Sequence, residues 1–320
     1  MTARSPGARL RAAWRAHPDR WRLLAAALAL ALGFLHPALT LQRPLFDHVV
    51  VLDVTQSMNV RDQLSAGKPA SRLALAKRAL RRLLVEMPCG SKLGWGMFTE
   101  YRALLLIAPI EVCANLGELR GSLDRIDGRM AWTGNSEIAK GLYAGIAIAK
   151  QLPEHPDLVF VTDGQEAPPL DARNRPPFGG KAGEVQGLLV GVGSLVPSPI
   201  PKIDPSGRSL GFWGADEVVQ TDPRSRGRGG QGEAMVGDTT DKVPSGGSEH
   251  LSSLHEAHLR LLAGDTGLAY LRLTSETALI EALTAPALAR PVPTRFDLAP
   301  LLAALALLLL LWRHLPRRTS

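Results

Sequence analysis

Asp53, Thr55 and Ser57 set one carboxylate and two hydroxyls at two-residue intervals, directly after the apolar run Val49-Val50-Val51-Leu52. A short apolar run without alternation suits a strand buried on both faces of a parallel sheet. Its carboxyl end is where open α/β sheets bind ligands. All three donors are oxygens, which suits a hard divalent cation such as Mg²⁺, Mn²⁺ or Ca²⁺. A pattern this short also recurs by chance, and the plain alternative is that Asp53 and Ser57 only cap a turn.

Two later stretches extend the pattern. The run Leu158-Val159-Phe160-Val161 ends in Thr162-Asp163-Gly164, which puts Asp163 at the end of a second buried strand. Between the two runs, Trp132-Thr133-Gly134-Asn135-Ser136 precedes a helical spacing of Ile138, Leu142, Ile146 and Ala149. Ser136 or Asn135 is the expected N-cap, so Thr133 sits on a loop entering a helix.

This ordered set resembles the von Willebrand factor type A (VWA) domain and its metal-ion-dependent adhesion site. Carried over position by position, the resemblance implies Asp53, Thr55, Ser57, Thr133 and Asp163 as ligands, some of them through water. Thr55 stands where the family usually has Ser, and the hydroxyl is kept. The implied ion is Mg²⁺, with Mn²⁺ or Ca²⁺ as alternatives. The remaining coordination position is left to water or to an acidic side chain of a partner. The implied fold is α/β: a Rossmann-like, open, mostly parallel sheet with one antiparallel edge strand and helices on both faces, over residues 44–285.

The elements expected to position these groups alternate along the chain. Ser71 to Met87 reads as a helix; Leu93–Phe98 and Ala103–Ile107 read as a hairpin. Leu116–Ile126 is a second helix and Gly187–Gly193 a further strand. Residues 197–250 are rich in Pro, Gly and Ser and read as an irregular surface insertion, with Gly211-Phe212-Trp213-Gly214 as a docked patch. A helix over Leu254–Leu262, a strand over Ala269–Leu273 and a helix over Thr277–Leu283 complete the domain.

The net charge of +7 is distributed unevenly. Residues 1–22 carry six Arg and one Asp, residues 313–320 carry three Arg, and the 290 residues between them sum to −1. Basicity confined to tails beside apolar segments orients a membrane protein and does not grip phosphates, so no nucleic-acid partner is expected. Residues 23–42 and 296–312 read as transmembrane helices, with Trp21 and Trp312 beside Arg as interfacial anchors. A cleaved leader is the competing reading of the first, but no convincing small-x-small site is present. Basic tails at 1–22 and 313–320 place both termini in the cytoplasm and the domain outside a bacterial inner membrane, in the periplasm.

Cys89 precedes one strand of the expected hairpin and Cys113 follows the other, which puts both at the end away from the metal. An oxidising compartment allows a disulfide there; two free structural thiols are the alternative. His255 and His258, with His250 nearby, have the wrong spacing for a zinc protease helix and read as a solvated face. Glu166 and Asp171 read as loop-solvated carboxylates rather than an acid–base pair. No phosphate-binding loop, serine-hydrolase elbow or C-x-x-C pair occurs.

The order anchor, domain, anchor is similar to the Bat-type proteins, VWA partners of MoxR-family AAA+ ATPases. Met58-Asn59-Val60-Arg61-Asp62, and Gly191-Val192-Gly193-Ser194 ahead of Pro199-Ile200-Pro201, carry that likeness. Leu52-Asp53-Val54-Thr55-Gln56-Ser57-Met58-Asn59 and Gly128-Arg129-Met130-Ala131-Trp132-Thr133-Gly134-Asn135-Ser136 resemble the VWA accessory proteins of methanol-oxidation operons. That branch implies maturation of a periplasmic quinoprotein dehydrogenase, calcium insertion included, with a MoxR-type ATPase as a further partner. The expected function is therefore non-enzymatic, cation-dependent protein interaction. A membrane scaffold with a vestigial site and a direct metal-dependent hydrolase are the alternatives.

Overall fold

A computed structural model of the chain describes residues 18–65, 67–167, 175–204, 206–215, 217 and 250–314. Both basic tails in large part, Asp171 and the Arg-Gly stretch at 226–230 lie outside them. The chain divides into a unit of Leu45–Arg290 and a unit of Met1–Pro44 with Pro291–Ser320.

The larger unit is built on six strands in the order β13-β8-β7-β2-β5-β6. These are β2 (Asp47–Asp53), β5 (Lys92–Thr99), β6 (Arg102–Glu111), β7 (Asp157–Thr162), β8 (Gly187–Gly191) and β13 (Ala269–Arg272). β2 runs parallel to β5 and β7, β7 to β8, and β8 to β13. Only β6, hairpinned onto β5, is antiparallel. The sheet is thus mostly parallel with one antiparallel edge strand, as the family resemblance implies.

Every residue of β2 and β7 is buried, because both faces of the sheet are covered. Val50, Leu52, Val159 and Val161 point to a core shared with α2 (Arg72–Glu86), α3 (Leu116–Arg125) and α6 (Glu276–Leu283). Val49, Val51, Leu158 and Phe160 point to the opposite core, shared with α4 (Ile138–Gln151) and α5 (Glu256–Thr266). The period-two alternation of the strands divides one apolar sequence between two helical layers. Gly141 lets α4 lie close on the sheet: a Cβ there would fall 2.0 Å from the Phe98 ring.

Some local expectations are corrected. α4 is not capped by Ser136 or Asn135; its first residue follows Glu137, which makes no side-chain cap. α5 begins at Glu256 and not at Leu254, because the Leu254 and His255 amides donate to Ser194 O and Asp163 O and hold that segment outside the helix. In the 197–250 stretch, β9 (Ser198–Pro199) pairs with β12 (Leu251–Ser252), and β10 (Pro201–Ile203) pairs with β11 (Ser209–Phe212). Phe212 is 62% exposed and therefore not docked, whereas Trp213 lies under the Lys202 ammonium at 4.5 Å. β3 (Gln63–Ser65) and β4 (Lys68–Ala70) form a small hairpin ahead of α2.

In the smaller unit, α1 (Pro18–Gly33) packs on α7 (Ala299–His314) through Ala26, Ala29 and Ala306. β1 (Ala38–Leu45) pairs with β14 (Arg290–Asp297). The expected spans 23–42 and 296–312 are therefore not continuous helices. The first stops at Gly33, where a turn through His36 at positive φ and Pro37 leads into a strand. The second begins only at Ala299, because Phe296 and Asp297 belong to β14. No helix among the described residues is long and apolar enough to cross a membrane.

Candidate metal centre

The site is built where β2 and β7 end side by side. Val54 N donates to Phe98 O, after which the chain turns into a short 3₁₀ segment at Gln56–Asn59. Asp53 Oδ1 accepts from both the Thr55 amide (2.9 Å) and the Thr55 hydroxyl (2.7 Å). Thr55 Oγ1 lies 3.3 Å from Ser57 Oγ. Asp53 Oδ2 accepts from the Thr162 hydroxyl at 2.6 Å. Asp53, Thr55, Ser57 and Asp163 are all buried.

Asp163 faces a different partner. Its Oδ2 accepts from Arg72 Nη1 at 2.6 Å and from Ser252 Oγ at 3.2 Å, while Oδ1 accepts from the Gln165 amide at 3.0 Å. Arg72 also donates to Ser57 O at 3.4 Å, which connects Asp163 to the first motif. Thr133 stands apart in these contacts: it is half-buried on the loop before α4, and its hydroxyl accepts from the Asn135 amide at 3.2 Å. That loop is tied to the site strands by isolated bridges of Ser136 with Glu100 and with Ala167.

Burial, and then the charge of Asp163, push the Asp53 carboxyl up to about 7, against the hydrogen bonds from Thr162 and Thr55. The physical content is a pair of enclosed carboxylates with less positive charge than they require. A hydroxyl that gives its one hydrogen to Asp53 keeps its lone pairs for a cation. The all-oxygen set of Asp53, Thr55, Ser57, Asp163 and, from its loop, Thr133 thus fits a hard divalent ion. Elsewhere among the described residues, the one group of three His, Cys, Asp or Glu side chains near enough to share an ion is Cys89, Glu111 and Cys113. Cys89 and Cys113 are joined as a disulfide, so neither offers a thiolate. The bridge closes the far end of the β5–β6 hairpin, beside the Lys92–Glu111 pair.

Three site residues are not evident from the motif: Thr162, Ser252 and Arg72. Thr162 directly precedes Asp163, and its hydroxyl donates to Asp53 Oδ2. Arg72 carries a signal of its own. It is the first residue of α2, after the Ser71 cap, where the helix dipole opposes a cation. A charge placed there requires acids nearby.

The loop carboxylate Glu166 is not solvated. Its oxygens accept from the Ile138 and Ala139 amides at 2.9 and 3.0 Å and so cap α4. His258 Nε2 lies 3.0 Å from the same carboxylate, so this histidine is engaged with Glu166 and not on a free solvated face. His255 is exposed, as the solvated-face reading expects, and partial desolvation of its ring lowers its imidazole from the usual value.

Residues 48–165 match the family profile described as von Willebrand factor type A domain. No curated protein matches the chain. Among solved structures, an aerotolerance-related membrane protein from Bacteroides fragilis is similar at 17% identity and a TM-score of 0.45, over 74% of this chain and 96% of that one. The conserved hypothetical protein BatB from Bacteroides thetaiotaomicron is similar at 18% identity and a TM-score of 0.46, over 75% and 95%. The PilB minor pilin from Streptococcus sanguinis is similar at 14% identity and a TM-score of 0.40, over 76% and 61%.

Proposed function

We propose that this chain is a membrane-anchored interaction protein whose contact with a partner is made through a divalent cation, Mg²⁺ first, held at the carboxyl ends of β2 and β7. The observation that carries this is the juxtaposition of two enclosed carboxylates, Asp53 and Asp163, with the Thr55 hydroxyl donating to Asp53 and the Ser57 hydroxyl beside that of Thr55. When bound, the ion supplies a positive charge able to accept a carboxylate from another molecule. The chain's own residues do the rest. Asp53, Thr55, Ser57 and Asp163, with Thr133 from the loop before α4, would supply oxygens, and Thr162 orients Asp53. A partner offering an aspartate or glutamate completes the shell. In this non-enzymatic reading Glu166 is a structural carboxylate, committed to the start of α4 and to His258.

Membrane attachment is supported by the smaller unit. On α1 and α7, Leu24, Leu28, Leu305 and Leu308 are 58%, 60%, 47% and 63% exposed, a face too apolar to leave in water. At about 1.5 Å per residue each helix reaches about 24 Å, short of the about 30 Å of an ordinary hydrocarbon core, so this attachment requires the bilayer to thin around the helices. Arginines in both tails favour termini in the cytoplasm, with the larger unit in the periplasm of a bacterial inner membrane. The finer assignment is maturation of a periplasmic quinoprotein dehydrogenase, with calcium insertion, alongside a MoxR-type ATPase. It rests on the motif phrases around Asp53 and Thr133.

The test is a pull-down from membranes with the native chain and Asp53→Ala, each in Mg²⁺ or EDTA. A partner retained by the native chain in Mg²⁺ and lost in the other three arms supports the cation bridge. A partner list identical in all four removes it. That second outcome favours a structural scaffold, a reading to which the Arg72–Asp163 ion pair lends weight because it already balances one of the two acids.

A further inference from the structure

Arg72 is wholly enclosed, with its side chain 0% exposed. Its guanidinium is divided between two acids. Nε and Nη2 take the Asp62 carboxylate, at 3.1–3.2 and 2.6 Å, and Nη1 takes Asp163 Oδ2 at 2.6 Å. The same Nη1 donates to Ser252 Oγ at 2.6 Å, and Nη2 donates to Ser252 O at 3.1 Å. Gly193 closes the remaining side: a Cβ there would stand 2.9 Å from Arg72 Nε. Asp62 is fixed in turn by the Ser194 amide at 2.9 Å. A planar fork with this many partners cannot turn away from Asp163 without breaking several of these contacts at once.

We infer that Arg72 is the built-in counter-cation of the strand-end site: by neutralising Asp163 it sets how strongly the site takes a divalent ion. The inference rests on the cation-bridge reading of that site. With Oδ2 held by the guanidinium, Asp163 has only Oδ1 left to offer, and Oδ1 already accepts the Gln165 amide. Asp53 is then the one carboxylate without a fixed positive partner. A site of this kind holds its ion loosely until another negative group joins, which makes the partner's carboxylate part of the binding energy. Asp62 tunes the effect from outside the site, because it shares the guanidinium's charge.

Arg72 is a positioning residue in this scheme, and the scheme predicts opposite shifts from two changes in one network. Asp62→Asn leaves the whole guanidinium charge to Asp163, so divalent-ion affinity falls, on the order of tenfold for a unit charge redistributed over this distance. Arg72→Met combined with Asp62→Asn removes the counter-cation together with its second partner, so affinity rises by a similar factor. The experiment is calorimetric titration of the full-length purified chain and both variants with Mg²⁺ and Mn²⁺. Thermal unfolding without metal serves as the independent check of the fold. A purely structural role would lower stability in both variants and move affinity in one direction or not at all; that result overturns the inference. Arg72→Lys, which keeps a charge but loses the fork that holds both acids, serves if the double variant does not fold: binding tighter than in the native chain supports the inference, and equal or weaker binding overturns it. If the native chain binds no cation, the cation-bridge reading falls by itself. The double variant still decides the role of Arg72: gained binding supports it and continued absence overturns it.

Discussion

Arg72 Nη1 and Asp163 Oδ2 form a 2.6 Å ion pair in which neither side chain reaches solvent. Burial disfavours the guanidinium charge, but Asp163 and Asp62 outweigh it and hold the group firmly protonated. An enclosed pair costs most when only one member is removed, because the other is left charged in a low-dielectric setting. Asp163→Asn is therefore expected to lower stability by about 3 kcal/mol, the lower end of the usual range since Arg72 keeps Asp62. A urea midpoint unchanged from the native chain would rule this out.

The acid Asp62 gives a pH signature. Burial would raise its carboxyl, yet the Arg72 hydrogen bonds and the Ser194 amide prevail and hold it below the usual aspartate range. A depressed folded value adds stability that is complete above the unfolded value, about 4, and is lost as pH falls through the folded value. Asp62→Asn should be less stable at pH 7 and show a flatter decline below about pH 4. Parallel acid-denaturation curves for the two proteins would contradict this.

Glu166 should behave as a structural cap. Glu166→Ala leaves the first amides of α4, Ile138 and Ala139, without acceptors, at a cost of about 1–2 kcal/mol. Amide exchange at those two residues should accelerate. Unchanged protection there would show that another group caps the helix.

The Cys89–Cys113 disulfide closes a loop with a sequence separation of 24. Its reduction should cost about 3 kcal/mol by loop entropy and leave ion affinity alone, because the bridge lies at the opposite end of β5 from Asp53. A change in Mg²⁺ affinity on reduction would show that the two ends of the sheet are coupled.

The apolar faces of α1 and α7 make the membrane reading testable by fractionation. Leu28→Glu with Leu308→Glu should move the chain from the membrane pellet to the soluble fraction, since a charge at mid-bilayer costs about 2.5–3.5 kcal/mol. Continued sedimentation with membranes under high salt would count against anchoring through these helices.

The alternation of buried strands and amphipathic helices was legible because each element repeats its own period along the chain. β2, β7 and their terminal groups Asp53 and Asp163 could be placed from apolar runs and punctuation alone, as could the hairpin that brings Cys89 to Cys113. What joins across sequence distance was not. Arg72 lies 91 residues from Asp163 and 180 from Ser252, and no local pattern relates them. The cap of α4 likewise comes from Glu166, 28 residues beyond Ile138, and not from the adjacent Ser136 that the local rule favours. The apolar segments read as continuous spans because hydropathy counts composition, whereas the turn at His36-Pro37 and the pairing of β1 with β14 depend on what the backbone meets. Sequence by itself determined which groups stand at the ends of the strands, since burial of a periodic apolar face is a local property. Only the tertiary structure decided which charge balances which, since a buried acid accepts whatever donor the packing brings within 3 Å.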